Sequence, residues 1–387
     1  MNHIELFAGC GGLSLGLESA GFELFVANEL SPMASETFAY NLLNVDFEKK
    51  KNTDKVLWVS STHERSKLSA RLRENPQVAN GLNSYHFSDL SKQKLTKDKL
   101  ERSLLVGSIV DINTILDDPE SPLVDILRQG SGDGIDLVSG GPPCQSFSLA
   151  GLRDHSNDRN VLPWEFAKFV EKTKPKIALL ENVSGILRAF KINEKPYYAW
   201  FEVAKAFAKI GYIPLCLHVN AKYVGAAQNR PRFILLAMRD DIYTGVTRNS
   251  TDKNFLEAIA PAKILFDRVR RGEDPEYGCL PYFDMEKNPD FFDSKIFVNF
   301  KTHENSDLVT VRDAIDDLRT VKGKNSLYVE RINNIFENIN SHSLNKQRNH
   351  DHRSNNSKVK ARFRVYQIMS KLPKESSKEI SKYLKTE

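Results

Sequence analysis

Apolar positions recur along the first 45 residues with the alternating periods of strands and helices. An apolar run at 3–7 precedes a helical period at 13–20, and a second run at 22–27 precedes a helix that begins after Ser31-Pro32. Serine is a preferred N-cap of a helix, and proline is a preferred residue of its first turn. This strand–helix–strand–helix order predicts an α/β fold in which helices cover a parallel sheet.

Regular alternation resumes in the middle of the chain, after a polar segment. Continuous apolar runs, typical of strands buried on both faces, separate helical periods there. The predicted strands and helices lie at 135–139, 163–172, 176–181, 198–210, 212–219 and 232–239. The polar segment at 48–104 contains amphipathic pieces at 64–73 and 95–105, which predict a mostly helical surface insertion.

The pattern degrades after residue 240. Short helical pieces remain at 311–318 and 362–372, so we predict a regular domain over 1–240 and an irregular region over 241–387. Residues 341–387 carry 12 Lys and Arg against 4 Asp and Glu, a net charge of +8, and the rest of the chain sums to −3. Such a basic tail can contact a polyanion such as DNA, although a solvated surface explains it equally well.

Composition argues against two classes of protein. No apolar run approaches the roughly 20 residues that span a bilayer, and the N-terminus lacks the parts of a signal peptide. We therefore expect a cytosolic (cytoplasmic) protein without a membrane partner. The four cysteines form no Cys-x-x-Cys pair, which argues against a disulfide framework and against a metal site built on cysteine.

A glycine-rich segment joins the first predicted strand to the first predicted helix. Its residues are Phe7, Ala8, Gly9, Cys10, Gly11 and Gly12. Glycine in such a turn lets the backbone approach a ligand closely. The second predicted strand ends in Asn28-Glu29, which places a carboxylate where a ribose diol would lie. Together these features indicate a nucleoside-containing cofactor, whereas a glycine-rich turn alone also occurs for packing.

Cys144 lies in a loop that neither a strand nor a helix could continue. The strand at 135–139 runs into Gly140-Gly141-Pro142-Pro143-Cys144, where two glycines and two prolines impose a rigid, irregular path. The cysteine follows the carboxyl end of a strand, which is where α/β folds place their ligands. A lone cysteine is most often a small buried residue, but this loop favours a nucleophile.

Three further polar residues follow or precede neighbouring predicted strands. Glu181 ends the strand at 176–181 and would emerge at the same sheet edge as Cys144, although glutamate also caps helices. Arg230 and Arg232 are two residues apart, so on an extended segment they point the same way. They can meet a phosphate or a polarised carbonyl oxygen, but such a pair alone is most often a solvated edge.

Five segments, taken in order, resemble the ordered motifs of the C5-cytosine DNA methyltransferases. They read FAGCGGLSLG, NE, GPPCQSFS, ENV and QNRPR, and the resemblance covers residues 3–48 and about 105–240. It implies a Rossmann-like sheet of the S-adenosylmethionine-dependent methyltransferase kind, with helices on both faces and an irregular C-terminal region. It also implies DNA (cytosine-5-)-methyltransferase activity in a restriction-modification or defence setting.

The resemblance implies S-adenosylmethionine as the cofactor, bound over residues 7–12. Glu29 would contact the ribose, and the loop before Cys144 would line the methionine side. The family holds the adenine with a Gly-Asp-Ile segment, in which serine stands here for the aspartate, so Asp111 is a candidate substitute. The implied cofactor-binding residues beyond the glycine-rich segment are Glu29, Leu30, Ser108, Ile109, Gly141 and Pro143.

The resemblance also implies a mechanism and a partner. A Cys144 thiolate adds to C6 of cytosine and makes C5 nucleophilic enough to take a methyl group. Glu181 stabilises the charge that develops on the N3 edge, while Arg232 with Arg230 holds the O2 side. The target base must leave the stack, so the expected partner is double-stranded DNA whose cytosine is flipped out.

The family elements that normally follow the arginine motif are not found in this sequence. They are a target-recognition region, a Gln-Gly-Phe-Pro element and a late Gly-Asn-Ser/Ala-Val element that closes the cofactor pocket. Residues 310–318 and 350–353 resemble the connector before recognition. We therefore expect either one subunit of a split enzyme, completed by a second polypeptide, or an N-terminal piece of a longer protein. Either way, we expect little activity from this chain alone.

Three other functions stay open on the sequence. A tRNA cytosine-5 methyltransferase shares the same chemistry. A non-catalytic, DNA-binding regulatory homologue would usually have lost Cys144, Glu181 or Arg232. A dinucleotide oxidoreductase would show the G-x-G-x-x-G spacing, which the glycine-rich segment matches poorly.

Overall fold

The computed structural model describes residues 1–47, 49–61, 88–90, 95–143, 161–192, 195–294, 297, 308–316, 326–336 and 354–384. Cys144 and the predicted amphipathic piece at 64–73 lie outside the described residues. The chain divides into two units, Met1–His342 and Ser343–Glu387, and each is described by itself.

Nine strands of the described chain form one sheet, and two more form a separate hairpin. In chain order they are β1 (Asn2–Leu6), β2 (Glu23–Glu29), β3 (Val56–Trp58), β4 (Ser103–Val106), β5 (Leu137–Gly140), β6 (Ile177–Val183), β7 (Phe190–Ile192), β8 (Lys195–Tyr197), β9 (Tyr212–Asn220), β10 (Pro231–Arg239) and β11 (Tyr282–Asp284). The sheet order is β3-β4-β2-β1-β5-β6-β10-β9-β11, and β7 pairs with β8. β10 is antiparallel to both neighbours, while the other strand pairs of the sheet are parallel.

Helices connect these strands and continue beyond them. In the described part of the first unit they are α1 (Gly12–Ser19), α2 (Pro32–Leu42), α3 (Lys97–Leu100), α4 (Ile109–Asp117), α5 (Leu123–Gln129), α6 (Leu162–Thr173), α7 (Ala199–Lys209), α8 (Asp240–Asn249), α9 (Lys253–Arg270), α10 (Pro289–Phe292), α11 (Val311–Ile315) and α12 (Leu327–Phe336). The predicted α2 is confirmed, with Pro32 in its first turn and Ser31 at its N-cap position.

Apolar side chains fill both faces of the sheet. Leu105 on β4 belongs to a large cluster with Phe166 of α6 and Phe207 of α7. Its neighbour Leu104 belongs to a second cluster, with Phe38 of α2. Because successive residues of a strand point to opposite faces, helices cover both faces of the sheet. This confirms the predicted α/β class.

The strand order reverses beside β1, since β2 lies on one side of it and β5 on the other. In doubly wound sheets, ligands bind in the crevice outside the carboxyl ends of the strands at such a reversal. The glycine-rich segment follows β1, and Gly141 follows β5. The fold therefore brings these two predicted cofactor segments to one edge of the sheet.

The prediction of a mostly helical insertion at 48–104 is wrong for its described residues. β3 lies inside this segment, and its Trp58 is buried in the core. At 95–105 the helix is limited to α3, and the apolar residues from Leu104 onward belong to β4. β3 pairs with β4 across more than 40 residues of sequence, and local periodicity does not encode such a contact.

The region after residue 240 begins more regularly than its pattern predicts. α8 and α9 follow β10 directly, and α9 spans 18 residues with Pro261 inside it. Its buried Phe255, Ile259, Ala262 and Phe266 recur at helical spacing. β11 then joins the sheet beside β9. A functional boundary near residue 240 stays a prediction.

The second unit contains two described helices, α13 (Ser357–Met369) and α14 (Lys374–Leu384). α13 begins five residues before the predicted piece at 362–372 and is capped by Asn356, whose Oδ1 accepts from the Val359 backbone N–H at 3.0 Å. Within the described ranges, no helix has both the length and the apolar character needed to cross a bilayer.

Candidate active site

The glycine-rich segment forms a turn with left-handed backbone at Phe7, Gly9 and Gly11, whose φ angles are +56°, +55° and +90°. A Cβ on Gly11 would clash with Leu42 and Phe38, so glycine is required there by the packing of α2. A Cβ on Gly9 or Gly12 would meet no described atom within 4 Å. That side of the turn is therefore open to a ligand.

Glu29 ties this turn to the start of α2. Its Oε2 accepts a hydrogen bond from the Gly9 backbone N–H at 2.7 Å, and its Oε1 accepts one from Ser31 at 2.7 Å. Each carboxylate oxygen has a second lone pair, so Glu29 can still accept from the hydroxyls of a ribose. Leu30 lies between these contacts and is half-buried. The predicted ribose contact thus fits the geometry.

The segment after β4 supplies the next wall of the crevice. Asn28 Nδ2 donates to the Gly107 carbonyl at 3.0 Å, which holds this segment against β2. Ser108 caps α4, because its Oγ accepts from a backbone N–H of the first turn, and Ile109 behind it is buried. Burial raises the pKa of Asp111, and its carboxyl is hydrogen-bonded to Ser60. Asp111 is therefore engaged inside the fold, whereas Ser108 stands at the edge.

The loop that leads to Cys144 passes beside Glu181. A Cβ on Gly141 would lie 3.0 Å from Glu181 Oε2. Asn182 Nδ2 donates to the Pro142 carbonyl at 3.2 Å, which attaches the loop to β6. Pro143 is exposed, and Cys144 itself lies outside the described residues. The structure therefore joins the beginning of this loop to the strand that carries Glu181.

Glu181 and Arg232 form an ion pair at the carboxyl edge. Arg232 Nε donates to Glu181 Oε1 at 2.5 Å, and the two side chains are 19% and 33% exposed. The pairing of β10 with β6 places Arg232 opposite Val183 and so brings it beside Glu181. The sequence predicts both residues for the site but not this direct contact.

The structure does not bring Arg230 to this ion pair. Arg230 precedes β10 and is exposed, and its backbone N–H donates to Asn220 Oδ1 at 3.0 Å. Asn220 also donates to Asn229 Oδ1 at 2.9 Å, so the turn before β10 is fixed while the Arg230 side chain stays accessible. The two arginines therefore have different surroundings.

Two groups of polar residues at this edge are missed by the sequence patterns. Glu5 on β1 is 2% exposed, and burial raises its pKa to about 7 although Ser14 donates a hydrogen bond to it. The sequence did offer one indication of Glu5, because a glutamate inside the otherwise apolar run of the first strand is unusual. The second group is Ser184, His218 and Asp284, which are joined by hydrogen bonds. They are 34 and 66 residues apart, so no local pattern could reveal them.

The other cysteines have varied surroundings. Complete burial raises the pKa of the Cys216 thiol far above its usual range, which makes it unreactive. Burial also raises the pKa of Cys279, which is half-buried. Cys10 is exposed in the glycine-rich turn.

Comparison with known proteins identifies the family. The profile of the C-5 cytosine-specific DNA methylase family matches residues 1–63 and 118–386. The chain therefore belongs to the C-5 cytosine-specific DNA methylase family.

Individual relatives are similar over part of their length. The type II methyltransferase M.DdeI of Desulfomicrobium norvegicum is 29% identical over 296 residues, which are 74% of this chain and 54% of that protein. M.FnuDI of Fusobacterium nucleatum is 30% identical over 62% of this chain and 48% of its own length. A crystal structure of a Spodoptera frugiperda DNMT2 mutant is 13% identical with a TM-score of 0.34, over 62% of this chain and 50% of that chain. The chain spans about half the length of the curated relatives it matches.

Proposed function

We propose that this chain is the catalytic part of a DNA (cytosine-5-)-methyltransferase. The observation that carries the proposal is the Glu181–Arg232 ion pair, which lies beside Gly141 on the loop that leads to Cys144. An acid and a guanidinium beside a loop that leads to a candidate nucleophile are groups that addition to a cytosine ring requires. Membership of the cytosine-5 methylase family supports the same reaction.

S-adenosylmethionine, when bound, supplies an electrophilic methyl group. The residues of the crevice fit such a ligand, since the turn is open above Gly9 and Gly12 and Glu29 presents a carboxylate to a diol. Ser108 and Ile109 would face the adenine, and Gly141 with Pro143 would line the methionine side. The ligand would also contact the backbone of Leu30 and of residues 7–12, which include Cys10.

The residues of the chain would divide the reaction between them. The Cys144 thiolate adds to C6, and the ring electrons that this addition releases make C5 nucleophilic. Glu181 would hold the N3 edge of the cytosine. Arg232 keeps Glu181 in place through the hydrogen bond of its Nε, and the same guanidinium would reach the O2 side of the base. Arg230 would contact a neighbouring phosphate from its exposed position. After C5 has taken the methyl group, its proton leaves and the Cys144–C6 bond breaks, which restores the aromatic ring.

Double-stranded DNA would be the substrate, with the target cytosine flipped out of the stack. The relatives are about twice as long as the part matched here, which supports a second polypeptide or a further segment for recognition and pocket closure. Residues 1–240 would then be the catalytic domain and 241–387 the connector with a basic tail. A cytoplasmic restriction-modification or defence setting is in keeping with the type II methyltransferase relatives.

Transfer of a radiolabelled methyl group tests this function. The assay compares mixed-sequence duplex DNA with tRNA, for the chain alone and for the chain with the polypeptide that completes it. We expect label in DNA and not in tRNA, with little turnover by the chain alone. Label in tRNA would favour the RNA methyltransferase alternative. Robust turnover by the chain alone would contradict the proposal that a second polypeptide or a further segment is needed.

A further inference from the structure

A chain of two hydrogen bonds links Asp284, His218 and Ser184 at the carboxyl edge of the sheet. His218 Nδ1 lies 2.7 Å from Asp284 Oδ2, and His218 Nε2 lies 2.9 Å from Ser184 Oγ. Ser184 directly follows β6 and is three residues beyond Glu181. The three residues come from separate places in the sequence and lie outside the segments that resemble the family motifs.

Asp284 fixes the direction of both hydrogen bonds. Burial alone would raise the pKa of Asp284, but hydrogen bonds from His218 and from the Glu286 backbone N–H hold it below its usual range. The ionised carboxylate is an acceptor only, so Nδ1 of His218 carries the proton that it donates. In the neutral ring Nε2 is then an acceptor, and Ser184 Oγ–H donates to it.

This network holds the end of β6 from the face opposite to Arg232. On β10, Phe233 pairs with Asn182 on one side and with His218 on the other, so these three share a face of the sheet. The neighbouring Arg232 pairs with Val183 and contacts Glu181 on the other face. The end of β6 is therefore attached on both faces, by Arg232 on one and by His218 on the other.

We propose that Asp284, His218 and Ser184 form a positioning relay for the Glu181 carboxylate; this inference rests on the proposed function. The relay fixes the backbone directly after Glu181 and Asn182. Because Asn182 donates to the Pro142 carbonyl, the relay also supports the loop that leads to Cys144. Its three members act through Glu181 and Asn182 and do not themselves touch the substrate.

Substitutions that reverse or remove the hydrogen bonds test the relay. Asp284→Asn keeps the shape of the side chain but donates to Nδ1, so Nε2–H of His218 then points at Ser184, as in a mispolarised triad. Ser184→Ala removes the hydrogen bond between Ser184 and His218, and His218→Phe removes both hydrogen bonds of the network. The measurement is the rate of covalent adduct formation with duplex DNA carrying 5-fluorocytosine, by the chain together with the polypeptide that completes it, with protein in excess and S-adenosylmethionine present.

We expect each of the three variants to slow adduct formation about tenfold, because small displacements of catalytic groups have effects of this size or larger. The Ser184→Ala/His218→Phe double variant should be no slower than His218→Phe, since both changes break the same relay. The affinity for S-adenosylmethionine should stay unchanged. Asp125→Asn, an exposed aspartate on α5, is the matched control and should behave as the wild type.

Nitrogen-15 spectra of the histidine ring give a readout that is independent of turnover. We expect the Nδ1–H tautomer of His218 in the wild type and the Nε2–H tautomer in Asp284→Asn. Variants that form adduct at the wild-type rate would overturn the positioning role, as would covalent labelling of Ser184 by a fluorophosphonate, which would make it a nucleophile. A completed wild-type protein that shows the tautomer but forms no adduct would contradict the proposed function, and with it the role of the relay.

Discussion

Three glutamates near the crevice differ in what holds them. Glu29 accepts two backbone N–H groups, and Glu181 accepts the Nε–H of a guanidinium. Glu5 is buried, and its described partners are the hydroxyl and the backbone N–H of Ser14. Their chemistry follows from these surroundings: Glu29 shapes the turn, Glu181 is placed for a substrate, and Glu5 favours the protonated form.

We predict that Glu29→Gln weakens the binding of S-adenosylmethionine about tenfold. A glutamine has one acceptor oxygen and cannot accept from both Gly9 and Ser31, so the turn loses one attachment and the ribose loses a charged partner. Isothermal titration calorimetry measures the effect. Glu23→Gln, at the exposed start of the same strand, is the control. If Glu29→Gln and Glu23→Gln bound S-adenosylmethionine with equal affinity, a contact between Glu29 and the ribose would be excluded.

We predict that Glu5→Gln changes the pH dependence of stability. Burial raises the pKa of Glu5 from 4.5 to about 7 in the folded state. The folded protein therefore binds the extra proton between these values, and its stability falls as pH rises through this window, by up to about 3 kcal/mol. Glu5→Gln removes this loss and keeps the contact with Ser14. Urea unfolding measures the free energy of unfolding at pH 5 and at pH 8. From pH 5 to pH 8, the wild type should lose stability relative to Glu5→Gln. The control Glu171→Gln, which changes an exposed glutamate, should show the same pH dependence as the wild type.

The β7–β8 hairpin begins seven residues after Val183, the last residue of β6, and carries exposed positive charge. The rings of Phe190 and Tyr197 face each other across the hairpin, with 4.9 Å between their centroids. Both side chains pack against the core, which anchors the hairpin. Arg188, Lys191 and Lys195 are exposed, and no carboxylate in the described ranges forms an ion pair with them. A DNA backbone that delivers a cytosine to Glu181 would pass such an element.

We predict that Lys191 and Lys195 contact phosphates. Because each phosphate contact adds about 0.9 to the salt dependence of binding, the Lys191→Ala/Lys195→Ala variant should lower the slope of log K against log salt by about 2. Fluorescence anisotropy with a labelled duplex measures the slope. Lys174→Ala/Lys209→Ala removes two exposed lysines at the opposite edge of the sheet and should leave it unchanged. An unchanged slope in the hairpin variant would exclude these contacts.

The elements differ in how far their sequence determines them. The central strands were predictable because a strand buried on both faces needs a continuous apolar run, as at residues 24–27 of β2. β3 and β11 are three residues long and exist because β4 and β9 pair with them, which no local pattern records. Pro261 and the surrounding charges hid the helical spacing of α9.

At the scale of the whole molecule, one edge of the sheet collects the predicted chemistry. The glycine-rich turn, Glu29, Gly141 and the Glu181–Arg232 pair all lie there, as their positions at strand ends predict. The Asp284–His218–Ser184 network reaches the same edge from two strands, β11 and β9, and from the residue after β6, which are distant in sequence, so only the fold could reveal it.

The central claim is that Cys144 forms a bond to cytosine, and trapping on duplex DNA that carries 5-fluorocytosine tests it most directly. Fluorine at C5 cannot leave as a proton does, so a methylated adduct persists and accumulates even when turnover is slow. In the presence of the polypeptide that completes the enzyme, we predict a complex that survives denaturation with the wild type and with the control Cys279→Ser, and none with Cys144→Ser. A denaturation-resistant complex with Cys144→Ser, or none with the wild type, would contradict the account.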